Sequence, residues 1–295
     1  MSDVSLTDPA AIAVNGLSHR IGSFCLGPVD LVVPAGSITA LIGPNGAGKT
    51  TLLDLLYGMG AAQQGHMTLA GLDPRRAASA MRQQVAYVTP DVSFAAWGRV
   101  GGVLDYLRGF YAAWSDVECD RLLSLFELGR SDRVSGLSFG ERTRLALVAA
   151  LARETSVLLL DEPTTGLDVA ARKHLFAELL AYMEPGNRAI VISSHQLSDL
   201  ERLADRVAVL HRGQLRAAGA IADFTERYEQ WDIALNGKPL SLPSGVHPLL
   251  HGKERMRVMA DLQAGADDFA RSVTVLARAP MTLEEVYLGL TGEAA

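Results

Sequence analysis

Lysine is scarce in this chain of 295 residues: there are four, at positions 49, 173, 238 and 253, beside many arginines. Cysteine is scarcer still. Cys25 and Cys119 lie far apart and fit no metal-ligand spacing, so they read as ordinary thiols of a reducing cytosol. An excess of positive charge is also missing. The formal net charge is −6, and from Asp223 onward eleven acidic side chains face seven basic ones, so no basic patch points to nucleic acid. Met1–Pro9 carries two aspartates and no apolar core segment, which argues against a signal peptide. Leu31–Gly48 and Leu55–Leu72 lack charge over 18 residues. Each holds four glycines and the first also holds two prolines, so neither would cross a bilayer as a helix. What remains is 48% hydrophobic and 20% charged, ordinary for a soluble globular chain of about two domains. Any membrane role is expected to come through a partner.

The only lysine before position 173 falls in Gly43-Pro44-Asn45-Gly46-Ala47-Gly48-Lys49-Thr50-Thr51, which fits G-x-x-x-x-G-K-[ST] without mismatch. A random match is expected on the order of a few times in a thousand chains of this composition. The flanks agree with the motif. Ser37–Ile42 is apolar and partly β-branched, as a buried strand should be, and Thr51–Leu56 has helical periodicity. Strand, glycine-rich turn and helix N-terminus together make an anion site, because unpaired amides and the helix dipole both point at the ligand. Lys49 is expected to reach the β- and γ-phosphates of a nucleotide, and Thr50 to place its hydroxyl on Mg²⁺.

Ahead of this loop, Ala11–Val14, a turn at Asn15-Gly16 and Gly27–Gly36 read as antiparallel strands. Gly65–Gly71 and Gln84–Thr89 read as two more strands. Val103, Leu107, Phe110 and Trp114 fall at helical spacing, and Ser115–Glu118 is a capping box opening a helix that Gly129 ends. Leu145–Ala152 is apolar within a longer helical pattern. Val157–Leu160 and Ala189–Ser194 are continuous apolar runs of the kind buried in a parallel sheet, and Arg206–Leu215 contains two short strands around Arg212-Gly213. Strands alternating with helices argue an α/β fold with a parallel-sheet core and a helical excursion near 95–150.

Buried parallel strands deliver their C-terminal ends to the ligand crevice, so Asp161, Glu162 and His195 are expected beside the phosphates. One carboxylate suits a Mg²⁺ shell and the second suits polarising an attacking water. Ser138 with Glu141 is a second capping box, and a helix start of this kind is also a second anion site.

Together these residues resemble the ATP-binding cassette (ABC) ATPases over roughly 11–220. GPNGAGKTT is similar to their first phosphate motif, LSFGE (Leu137–Glu141) to their signature, VLLLDE to their second carboxylate motif, Gly166-Leu167-Asp168 to their D-loop and His195 to their switch histidine. The resemblance implies a P-loop NTPase with an N-terminal antiparallel β subdomain and a small helical subdomain at about 92–150. It implies ATP and Mg²⁺ as cofactors, with Lys49 and residues 43–51 on the phosphates, Thr50 and Asp161 on the metal, Glu162 as base and His195 on the γ-phosphate. It further implies that Ser138 and Gly140 contact the γ-phosphate of ATP held by a second subunit, in a homodimer or a heterodimer, and that Phe139, Glu141 and Asp168 belong with them among the nucleotide-binding residues. The ending Pro280–Glu293 is similar to that of bacterial exporter subunits whose permease is a separate chain. A cytoplasmic ATPase held at the inner face of the membrane by that permease is therefore expected, with 1–220 as the nucleotide-binding domain and 221–295 as a small accessory domain.

Four positions depart from the family pattern. Phe139 and Glu141 stand where glycine and glutamine are common. Ile21 falls near the expected adenine-stacking tyrosine, leaving Phe24 or His19 as substitutes. Where a glutamine is expected after Val85–Val88, Pro90 or Asp91 falls instead, and an acid there would reach Mg²⁺ through water. Residues 94–114 hold a third of the aromatics. Val103, Leu107 and Phe110 are assigned inward, Phe94 and Trp97 to a permease groove. The rivals are a soluble ABC protein acting on ribosomes or DNA, a P-loop kinase or GTPase, and a binding subunit that does not hydrolyse. The first usually carries two cassettes, the second leaves Leu137–Glu141 and His195 unexplained, and the third sits poorly with intact Lys49, Asp161, Glu162 and His195.

Overall fold

The computed structural model describes residues 10–90, 98–195, 197–235, 240–252 and 254–292. The chain begins with two long antiparallel strands, β1 (Ala10–Ile21) and β2 (Phe24–Pro34), whose tight connection lies at Gly22-Ser23. Asn15-Gly16 is not the turn the dipeptide predicts. It sits inside β1, where the register against both neighbours shifts and Gly16 takes φ 57°, so the residues form a β-bulge. Flanking apolar positions on both sides keep the strand going: Ile12, Val14 and Leu17 are all buried.

Strand β3 (Ile38–Ile42) is buried at all five positions and leads through the phosphate-type loop into α1 (Lys49–Tyr57). Next come β4 (Gln64–Leu69), which pairs with β1, then α2 (Ala78–Gln84) and β5 (Val85–Val88). The helical excursion consists of α3 (Val100–Arg108), α4 (Asp116–Leu125) and α5 (Phe139–Leu151). The chain then alternates through β6 (Val157–Leu160), α6 (Val169–Met183), β7 (Ala189–Ser194), α7 (Leu197–Leu200), β8 (Arg206–His211) and β9 (Gln214–Ala220). It closes with α8 (Ile221–Arg227), β10 (Tyr228–Ala234), β11 (Val246–His251), β12 (Arg255–Asp261), α9 (Ala266–Ser272), β13 (Val275–Pro280) and α10 (Leu283–Thr291).

Three sheets result among the described residues. The central one has the order β5-β6-β7-β3-β8-β9, parallel except for β9, which runs antiparallel to β8. A three-stranded antiparallel sheet, β2-β1-β4, lies on the N-terminal side, and a four-stranded antiparallel sheet, β11-β12-β10-β13, is formed by the last part of the chain. The architecture is thus α/β with a parallel core and an antiparallel β unit. The C-terminal sheet has its own core around Trp231, Ile233, Val258 and Phe269. Its other face is not independent. Phe224, Tyr228, Met259, Met281, Leu283 and Val286 join the cluster that also contains Ile190 and Val207 of the central sheet.

The helical excursion corrects three expectations. Ser115 does cap α4, accepting from the Glu118 amide at 3.2 Å. The return half of the box is missing, because Arg121 captures the Glu118 carboxylate with Nε at 2.9 Å and also pairs with Glu178. An ion pair with a guanidinium outcompetes a bond to a single amide. The helix stops at Leu125, not at Gly129, and Glu127 takes the left-handed turn at φ 56°. Phe110 is 56% exposed instead of inward, while Val103 is buried and Leu107 partly so. Helix α3 ends at Arg108, which breaks the periodicity before it reaches Phe110. Phe94 and Trp97 lie outside the described residues, as does Asn236-Gly237, a dipeptide that also reads as a turn.

Candidate active site

A cleft of about 640 Å³ opens at the C-terminal ends of β3, β6 and β7. Pro44, Asn45, Gly46, Ala47, Gly48, Lys49, Thr50 and Thr51 form one wall, Glu162, Thr165 and His195 another, and Phe24 and Pro90 complete the lining. Gly48 is the N-cap of α1 at φ 105°, a left-handed conformation that suits glycine. A Cβ there would also come 2.8 Å from Cζ of Phe24, so the ring lies directly over the loop.

Lys49 is buried, and its ammonium donates back to the Gly43 carbonyl at 2.7 Å and the Pro44 carbonyl at 3.4 Å. It also sits 3.3 Å from Oε1 of Glu162. That carboxylate oxygen has no hydrogen bond of good geometry, so the contact is an ion pair held by charge. The other oxygen, Oε2, lies 2.7 Å from Nδ1 of His195. Glu162 itself takes φ 48°, a left-handed conformation uncommon for a residue with a side chain, and its amide donates to Oγ of Ser193 at 2.8 Å.

Asp161 is almost fully buried just behind the cleft. Its Oδ2 accepts from the Thr50 hydroxyl at 2.6 Å and its Oδ1 from the Ser193 hydroxyl at 2.6 Å. Nearby, Tyr87 donates to Oδ1 of Asp54 at 3.0 Å. Burial, with the Asp161 and Asp54 carboxylates adding to it, pushes the Tyr87 phenol well above its usual range, so it stays protonated and a donor. The Thr50 hydroxyl and the Asp161 carboxylate are hard oxygen donors at the loop's edge. One carboxylate plus one hydroxyl, with phosphate and water oxygens filling the rest, is a donor set that fits Mg²⁺. A cage of several acidic or histidine ligands would not be needed for such an ion, and none is found among the described residues.

The cleft therefore gathers Lys49, Thr50, Glu162 and His195, with Asp161 beneath them. It does not gather the second group of sequence candidates. Ser138 caps α5 in a complete capping box, its Oγ taking the Glu141 amide at 3.3 Å and its own amide donating to Oε2 of Glu141 at 2.7 Å. The Ser138 side chain, with the Ser138 amide adding to it, holds the Glu141 carboxyl below its usual range. Ser138 and Phe139 are exposed, and neither they nor the half-buried Glu141 line this chain's cleft. Asp168 caps α6, accepting from the Ala171 amide at 2.8 Å. Phe139 packs on Gly166, so the start of α5 is docked against the loop that leaves the cleft.

Of the two aromatic substitutes, Phe24 lines the cleft and His19 does not, while Ile21 is exposed. Asp91, the remaining metal candidate, lies outside the described residues. Ser193 was not singled out from sequence. The pair Ser193-Ser194, closing an otherwise aliphatic strand beside His195, was the available signal.

Comparison with known proteins gives a consistent result. The family model described as ABC transporter matches residues 26–165. A Nod factor export ATP-binding protein I from Rhizobium sp. (strain N33) is 32% identical over 95% of this chain and 92% of its own length. A sulfate/thiosulfate import ATP-binding protein from Mycobacterium tuberculosis is 35% identical, over 72% of this chain and 62% of its own length. Among solved structures, an ATP-binding subunit of an ABC transporter superposes with a TM-score of 0.67 at 28% identity, covering 73% of this chain and 92% of that one.

Proposed function

This chain belongs to the ATP-binding proteins of ABC transporters, and on that premise we propose that it works as half of a cassette dimer driving a separate transmembrane permease in export. It is an ATPase. Among the described residues, no helix is long and apolar enough to cross a membrane, which fits a subunit held at the inner face of the cell membrane through such a permease.

The observation that carries the dimer is a division of the motifs. Lys49, Thr50, Glu162 and His195 meet in one cleft, while Ser138 and Phe139 stand exposed at the start of α5, and neither they nor the half-buried Glu141 line it. A second cassette, identical or not, facing this one head to tail would bring its own Ser138–Gly140 segment to the open side of the nucleotide. The export direction is supported by extent of match. The Nod factor export relative aligns over nearly the whole of both chains, whereas the import relative aligns over 72% of this one. An edge-to-face pair on the helical unit, Tyr106 and Phe110 with ring centroids 4.7 Å apart and both exposed, supports a partner-facing surface there.

In this reading the loop amides and Lys49 hold the β- and γ-phosphates, and Phe24 stacks on the adenine, a contact worth about 1–3 kcal/mol per base. Thr50 and Asp161 would hold Mg²⁺, which supplies positive charge to the phosphate oxygens when bound. Glu162 accepts the proton of the water that attacks the γ-phosphorus, the bond to the ADP oxygen breaks, and His195 hydrogen-bonds the departing phosphoryl group. Lys49 and His195 both contact the Glu162 carboxylate, so the phosphate-binding groups and the base converge on one point of the cleft.

The test is Glu162→Gln, which keeps size and removes basicity. The expected loss of turnover is about 10²–10⁴-fold with nucleotide binding retained, so an ATP-bound dimer accumulates and is seen by size exclusion. Adding Ser138→Arg should return it to monomer. Full activity in the single variant would remove Glu162 as base, and a monomer with ATP bound would require a different partner cassette or the permease.

A further inference from the structure

We propose that Ser193 is a positioning residue for hydrolysis, its single hydroxyl tying the two acidic residues together and holding both in working orientation. The inference rests on the reading of Glu162 as general base.

The local geometry creates the need for such a group. The parallel ladder between β6 and β7 ends at Leu160 opposite Ile192. Beyond it the chain leaves the sheet, and Glu162 adopts φ 48°, a conformation that persists in a residue with a Cβ only where its surroundings hold it. Turning out of the ladder takes the Glu162 amide away from any strand carbonyl. The Ser193 hydroxyl substitutes for one, accepting from that amide at 2.8 Å. The same hydroxyl spends its one proton on Oδ1 of Asp161 at 2.6 Å. Ser193 has no solvent exposure, so water cannot replace either bond.

Two consequences follow for the cleft. With Oδ1 of Asp161 occupied, its Oδ2 is left to the Thr50 hydroxyl at 2.6 Å, which sets the carboxylate plane. Glu162 is mounted at two points by β7 and the residue that follows it: its amide by Ser193, and its Oε2 by His195, two residues further along. A bland strand-end serine would satisfy one neighbour. This one bridges the acid beneath the loop and the backbone of the base, so loss of the hydroxyl frees the turn that aims Glu162.

The test uses Ser193→Ala and Ser193→Cys, the latter close to serine in size but a weak donor and acceptor. Melting temperature, binding of a fluorescent ATP analogue, and kcat and KM for ATP are measured for each. We expect kcat to fall by about 10–100-fold, as for a misplacement of order 1 Å, with KM and analogue affinity altered less than about threefold. The discriminating step is a cycle with Glu162→Gln. In that background Ser193→Ala should lower the melting temperature as it does in the parent, yet cost the residual single-turnover rate a smaller fraction than it costs the parent, because only the Asp161 half of its role is left. Wild-type kcat in both serine variants, an equal fractional loss in both backgrounds, or failure of both variants to fold would each overturn the proposal. Full activity in Glu162→Gln alone would overturn the base assignment instead, so the two failures are separable.

Discussion

Gly140→Ala sets two effects against each other. Gly140 is the second residue of α5 and buried, and in an unencumbered helix alanine is favoured over glycine by about 1 kcal/mol. Here a Cβ would overlap the carbonyl oxygen of Gly166 and lie 3.2 Å from its carbonyl carbon. Both atoms are backbone, so no side chain can swing away. Phe139, the neighbouring residue of α5, packs on the same Gly166, so helix and loop already meet closely over two residues. The first turn of α5 and the loop must therefore part by roughly 1 Å, an overpacking that typically destabilises by 1–3 kcal/mol. Net of the helix gain, the expected loss is about 0–2 kcal/mol, or a fall in Tm of a few degrees at most. Activity should suffer far more. The segment carries Ser138 on one side and leads to Asp168 on the other, and a shift near 1 Å in catalytic geometry commonly costs about 10²-fold. Gly136→Ala is the control, because no heavy atom lies within 4 Å of its Cβ position. The assays are thermal melting and steady-state ATP hydrolysis. A Gly140→Ala protein with raised Tm and activity within about twofold of the parent would refute the reasoning, since helix propensity would then have won.

Two further predictions concern parts outside the cleft. Native protein at pH 8 should take one equivalent of a thiol reagent, at exposed Cys25. Cys119 is buried and its thiol is pushed up to about 11, chiefly by burial, so little thiolate exists until the pH nears that value; two equivalents without unfolding would contradict this. A chain ending at Gly219 keeps every described residue of the cleft but exposes the central-core surface that Phe224, Leu283 and Val286 cover. It should bind ATP with a lowered Tm, and an unfolded product without nucleotide binding would place residues 221–295 in the core.

The parts of the molecule legible in sequence were those whose physics is local. The run from Ile38 through the glycine loop into α1 could be read because buried β-branched residues, left-handed glycines and helical periodicity all act within about 20 residues. The acidic pair after Val157–Leu160 was legible for the same reason, as was the Ser138 cap with its return bond from Glu141. The last part of the chain was read only partly. The ending Pro280–Glu293 was legible as a resemblance, but β11, β12, β13 and α9 pair and pack across long separations and carry weak periodicity.

By itself, then, the sequence determined the order of strands and helices around the phosphate loop and the identity of the groups that line it. Tertiary structure decided which groups meet. Glu118 abandons its capping bond because Glu178, far along the chain, helps hold Arg121 in place. Phe110 turns outward because α3 ends before reaching it. Ser193 reaches Asp161, 32 positions away, only because β6 and β7 pair in parallel with Leu160 opposite Ile192. Glycine conformation and periodicity are properties of neighbours along the chain, whereas a buried hydroxyl's partner is set by sheet register, which no short window encodes.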